Sequence, residues 1–165
     1  MTHALAATLG AALLRHKHLL VTAESCTGGS VAQAITDTPG ASQWFDCGFV
    51  TYSNHSKTRV LRVPDILIST HGAVSEAVAM AMARGALRQS QASIAIATTG
   101  IAGPDGGTPT KPVGTVWFGL ATKKNVRAAH CLFSGDRQAV REQSVRHALR
   151  MLLEFVENGG GAPFG

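Results

Sequence analysis

Short apolar runs that alternate with helix-period segments constrain this chain more than any other feature. A helix is predicted over residues 3–15, with Leu5, Leu9 and Leu13 at four-residue spacing. A brief apolar strand at 19–22 follows, then a helix over 28–36 closed by Thr38-Pro39-Gly40. An aromatic and β-branched strand covers 44–52, and a short helix covers 54–62 ahead of Pro64. Residues 75–88 read as a helix with Ser75 as N-cap, and "SIAIAT" at 93–98 reads as a strand. A Gly/Pro-rich loop then leads to a strand pair at 114–121 and 127–133, and a final helix lies within 134–157. Strand–helix alternation followed by a β-ribbon predicts an α/β fold: a three-layer α/β/α sandwich around a mixed, mostly parallel sheet. With no repeat and no interior linker, residues 1–157 are expected to form one domain and 158–165 a flexible Gly-rich tail.

Composition narrows the function. The 165 residues are 45% hydrophobic and 15% charged, which suits one cored domain. The net charge of +5 points to an anionic partner, either a nucleic acid or a small phosphorylated ligand. The basic residues are scattered, and only one Tyr and two Trp could stack on bases, which argues against nucleic acid. Three scattered Cys without a CxxC argue for a reducing, cytoplasmic compartment. Neither a signal peptide nor an apolar run of membrane-spanning length is evident, so no membrane partner is expected. No metal-ligand spacing occurs, so neither metal nor cofactor is expected.

Four stretches could carry chemistry. In Glu24-Ser25-Cys26-Thr27-Gly28-Gly29 a strand gives way to a helix. Ser25 then sits in a βα turn, where strand ends and free N–H groups favour ligands and oxyanions. A capped helix start explains the same residues, and Cys26 is a rival nucleophile. In Tyr52-Ser53-Asn54-His55-Ser56-Lys57, Asn54 as N-cap puts Lys57 in the first helical turn. The dipole there disfavours its charged form, so a neutral amine could act as general base; a solvated Lys is the alternative, and Tyr52 reads equally as a core residue. The loop "TTGIAGPDGGTPTKPVGT" at 98–115 follows a strand directly and could present N–H groups to phosphate, although it is not a Walker A motif. On the last helix, Arg141 falls on the apolar stripe and Arg137 at its edge. Each would need a carboxylate or a bound anion as partner.

Together, "TAESCTGG", "GFVTYSNHSK", "HGAVSE", "TTGIAGPDGGTPTKPVGTVWFG" and "FSGDR" carry a resemblance to one family over about residues 4–157. The chain resembles the CinA C-terminal-domain family of nicotinamide-nucleotide amidases, in its stand-alone form. The resemblance implies hydrolysis of nicotinamide mononucleotide to nicotinate mononucleotide and ammonia. It implies Ser25 as nucleophile, Lys57 as its base and Tyr52 assisting proton transfer, with substrate contacts at Thr99 and Arg137. The turn geometry adds Thr27, Gly28 and Gly29 as oxyanion or ligand contacts, Gly100 adds a further one, and helix geometry adds Arg141. The substrate's phosphate would be the anionic partner. Edge strands and an apolar first helix favour a homo-oligomer. The rival readings are a pyridine-nucleotide-binding module without turnover, a DNA-damage or competence-associated factor, and a Cys26 thiol hydrolase.

Overall fold

Alternate residues of the first strand face opposite ways, and this builds two cores. The computed structural model describes residues 1–159, so residues 160–165 of the expected tail lie outside the described residues. In order, the elements are α1 (Thr2–Arg15), β1 (Leu20–Glu24), α2 (Ser30–Thr36), a 3-10 turn (Ala41–Gln43) and β2 (Phe45–Val50). Next come α3 (Asn54–Leu61), α4 (Asp65–His71), α5 (Glu76–Arg88), β3 (Ile94–Gly100), β4 (Thr115–Thr122), β5 (Val126–Leu132) and α6 (Arg137–Glu157). Leu20, Ile94, Ile96 and Phe118 join one buried cluster with Leu9 and Leu13 of α1, Ile35 of α2 and Leu149 of α6. Val21, Ala23, Ala95 and Ala97 join the other with Leu61 of α3 and Val78 and Met82 of α5. This is the period-2 burial of a sheet covered on both sides, and the three expected layers are present.

The sheet order is β2-β1-β3-β4-β5. β1 pairs in parallel with β2 and β3, while β4 pairs antiparallel with both of its neighbours. Four strands therefore share a direction and β4 alone runs against them. The β1–β2 connection passes through α2 on one face, and the β2–β3 connection through α3 to α5 on the other. The chain thus winds outward from β1 in both directions, which opens a crevice at the carboxyl ends of β1 and β3. Small side chains let α5 lie close to the sheet: a Cβ on Gly119 would stand 2.2 Å from the Ala79 carbonyl.

α4 went unpredicted. It has no buried residue and so no apolar stripe to read. Pro64, taken from the sequence as the stop of α3, is also the N-cap of α4, a role that proline's missing N–H and fixed φ permit. β2 stops at Val50 rather than Tyr52, and α6 begins at Arg137 behind an Asp136 cap whose carboxylate accepts from the Ala139 N–H.

Candidate active site

Three neighbouring strand ends supply the site. Ser25 follows β1, Thr51 and Tyr52 follow β2, and Thr99 and Gly100 close β3. The Ser25 N–H donates to the Thr98 carbonyl at 2.9 Å and the Thr51 N–H to the Glu24 carbonyl at 2.9 Å, so both turns are tied to the adjacent strand. They enclose a pocket of about 190 Å³ lined by Ser25, Tyr52, Lys57, Val74, Thr99 and Arg137, among others.

Lys57 is brought in by α3. The N-cap is Ser53, whose hydroxyl accepts from the Ser56 N–H, and not Asn54 as expected. Lys57 remains in the first turn but points into the protein and is only 1% exposed. Its Nζ lies 2.9 Å from Ser25 Oγ and 3.0 Å from each of the Thr51 and Tyr52 carbonyl oxygens. Those carbonyls are available because β2 ends before them. Burial pushes the amine below its ordinary value of 10.5, and the smaller influence of Cys26 opposes this. The solvated-surface reading of Lys57 is therefore overturned.

Glu24 is the residue that sequence reasoning passed over. Its carboxylate is 1% exposed and forms no ion pair among the described residues. It accepts from the Thr27 hydroxyl (2.7 Å) and from the N–H groups of Gly29 (3.2 Å), Val31 (2.9 Å) and Ala32 (3.0 Å). A buried anion is thus compensated by the unpaired amides at the start of α2. The sequence signal for it is a carboxylate just ahead of a helix start. Glu24→Ala is expected to destabilise the fold by about 3–5 kcal/mol, because three amides and a hydroxyl lose their acceptor in a buried site. Glu24→Gln should cost less. The midpoint of urea unfolding checks both.

This network occupies several of the polar groups at the turn. Thr27 is fully buried, and its hydroxyl serves Glu24 and the Thr98 hydroxyl (2.8 Å) rather than a ligand. The Gly28 N–H is engaged by the Ser25 carbonyl at 3.0 Å and the Gly29 N–H by Glu24, so neither is free for an oxyanion. Both glycines are needed for their backbone: φ is +60° at Gly28 and +98° at Gly29, where side chains with a Cβ are strained. The described hydrogen bonds leave the Cys26 and Thr27 N–H groups, just past Ser25, without a carbonyl acceptor.

Tyr52 is not a core residue; it is 60% exposed. Its phenol oxygen accepts from Arg137 Nη2 at 3.0 Å, while its main-chain carbonyl meets Lys57. Arg137 also donates to the Gly103 carbonyl at 2.8 Å, which pins the long loop beside the pocket. The Thr99 hydroxyl is buried and donates to the Ala73 carbonyl at 2.8 Å. Gly100 lines the pocket, but a Cβ there would collide with Val116, the Thr115 carbonyl and Cys26 Sγ. Within the loop, the Ile101 N–H donates to the Thr115 carbonyl and the Thr108 N–H to the Lys111 carbonyl. Among the described residues Arg141 meets no carboxylate; it donates to the carbonyls of Cys26 (3.2 Å) and Thr27 (3.1 Å) and to the Ser30 hydroxyl (3.3 Å). Burial pushes the Cys26 thiol up to about 12, which makes it a poor nucleophile at neutral pH. Among the described residues no group of three His, Cys, Asp or Glu is placed to hold a metal, and no helix is long and apolar enough to cross a membrane.

A doubly wound α/β chain with a buried lysine set against a serine at the end of an interior strand is the class these features define. Residues 2–156 match the CinA C-terminal domain, and the chain belongs to that family. The nicotinamide-nucleotide amidohydrolase PncC of Pseudomonas putida is 53% identical over 151 residues, covering 92% of this chain and 94% of that protein. The protein of the same name from Escherichia coli K12 is 50% identical over 153 residues, covering 91% and 92%. Among solved structures, a competence-damaged protein (CinA) superfamily member from Klebsiella pneumoniae superposes with a TM-score of 0.93 at 39% identity, covering 96% of this chain and 99% of that one. The competence/damage inducible protein CihA from Agrobacterium tumefaciens gives 0.90 at 41% identity, covering 93% and 94%.

Proposed function

We propose that this protein is a nicotinamide-nucleotide amidohydrolase that converts nicotinamide mononucleotide and water to nicotinate mononucleotide and ammonia through Ser25 and Lys57. The observation that carries the reading is the 2.9 Å approach of the buried Lys57 amine to the Ser25 hydroxyl. The relatives' names and near full-length coverage support the substrate.

A neutral amine has two hydrogens and one lone pair. Lys57 gives its two N–H bonds to the Thr51 and Tyr52 carbonyls, which leaves the lone pair to accept the Ser25 O–H. Burial favours this neutral form. Ser25 Oγ attacks the carboxamide carbon as its proton passes to Lys57 Nζ. The Cys26 N–H holds the oxyanion: the Ser25 carbonyl is turned to Gly28, and peptide planarity points the Cys26 N–H the other way. The tetrahedral intermediate collapses, the C–N bond breaks, and Lys57 returns the proton to the departing ammonia. Water then adds to the Ser25 ester as its proton passes to Lys57, the bond between the acyl carbon and Ser25 Oγ breaks, Lys57 returns the proton to Oγ, and nicotinate mononucleotide leaves.

A pocket of about 190 Å³ is smaller than the ~300–1,000 Å³ that encloses a drug-sized ligand. It takes the pyridine ring and amide, and the ribose phosphate extends through the mouth past Arg137. Tyr52 acts through its carbonyl, which orients Lys57, and through its phenol, which holds Arg137. Free cysteines support a reducing compartment such as the cytoplasm. Release of ammonia and nicotinate mononucleotide by the purified chain tests the reading. A folded protein that releases neither would overturn it in favour of nucleotide binding without turnover.

A further inference from the structure

Arg141 sits on the second turn of α6, half-buried, where the sequence leads one to expect a carboxylate or a bound anion as its partner. Among the described residues no carboxylate meets it. Its guanidinium takes three oxygens of the segment that carries the proposed nucleophile: the Cys26 and Thr27 carbonyls and the Ser30 hydroxyl. A planar, always-charged fork can hold two successive carbonyls at once, which a lysine ammonium does with less geometric control. Each carbonyl it holds also aims an amide, because C=O and the following N–H are antiparallel across a trans peptide. With the Cys26 carbonyl drawn to α6, the Thr27 N–H must face away from it. With the Ser25 carbonyl taken by Gly28, the Cys26 N–H faces away from α2.

The turn is therefore gripped from two sides. Glu24 holds its amides and the Thr27 hydroxyl from inside the protein, and Arg141 holds its carbonyls from the α6 side. A Cβ on Gly28 would stand 3.4 Å from Arg141 Nη2, so the guanidinium lies directly against the turn. We infer that Arg141 is a positioning residue for the Ser25 turn and not a ligand for the substrate's anionic group. This inference rests on the amidohydrolase reading above.

The test compares wild type with Arg141→Met and Arg141→Lys, with nicotinamide mononucleotide as substrate and inorganic phosphate as competing anion. The expected result is a fall in kcat of about 10²-fold in Arg141→Met, the scale set by a small misplacement of reacting groups. KM, inhibition by phosphate and the pH at which the rate rises stay close to wild type, since neither the anion contact nor Lys57 is touched. Arg141→Lys recovers little of the rate and serves as the measured variant if Arg141→Met does not fold. An unchanged kcat per folded molecule overturns the inference. So does a loss carried by KM together with weakened phosphate inhibition, which would make Arg141 an anion ligand. Wild type that releases no ammonia defeats the amidohydrolase reading itself, a result distinct from an active wild type with an indifferent Arg141.

Discussion

Ser25→Ala is expected to lower kcat for ammonia release by about 10⁴-fold or more, with the fold retained, because the step that forms the covalent acyl intermediate loses the hydroxyl set against Lys57. The side chain is small and its Oγ contacts only Lys57 Nζ closely, so the structural cost is slight. The measurement is steady-state ammonia release, with circular dichroism confirming the fold. Cys26→Ala, by contrast, should keep most of the activity, since a thiol pushed up to about 12 by burial supplies almost no thiolate at neutral pH. If Ser25→Ala retained activity and Cys26→Ala lost it, the roles proposed here would be reversed.

Lys57→Met is the second large effect. Removing a positioned general base costs about 10²–10⁴-fold in kcat, and methionine approximates the shape of the aliphatic stem. The pH dependence carries the sharper signature. Catalysis needs the neutral amine, so kcat/KM of wild type should rise with pH through the folded-state value of Lys57. Burial places that value below 10.5, and the rate should level off before an ordinary lysine would titrate. In Lys57→Met the rising limb disappears. The same shift acts on stability. The unfolded chain holds the Lys57 proton up to about its ordinary value of 10.5, while the folded chain releases it earlier. The contribution of this group to stability is therefore greatest above 10.5 and is lost as pH falls through the folded-state value. A limb near 10.5 in wild type would show that the amine is not perturbed and would count against its role as base.

The layers, the strands flanking the site and the βα turn at Ser25 were all legible in the sequence, because local periodicity and a glycine pair report directly on backbone geometry. Ser75 was read correctly as an N-cap, and its hydroxyl accepts from the Val78 N–H. α4 was not legible, since a short helix with no buried residue leaves no apolar pattern. The proximity of Ser25 and Lys57 could be expected only from the family resemblance. Thirty-two residues separate them, and no local rule relates the end of β1 to the first turn of α3.

The sequence by itself determined that the chain alternates strands with helices, that a serine stands where a strand meets a helix, and that glycines shape the turn beyond it. Only the tertiary structure decided what the polar groups there do. Glu24 became a buried cap because α2 starts where its carboxylate reaches. The Thr27 hydroxyl and the Gly28 and Gly29 N–H groups are engaged by that cap and by the turn's own hydrogen bonds. Arg141 reaches the Cys26 and Thr27 carbonyls because α6 packs beside α2. Side-chain type limits which partners a residue can take, but long-range packing selects among them, since hydrogen bonds across the fold depend on distances that no short window of sequence contains.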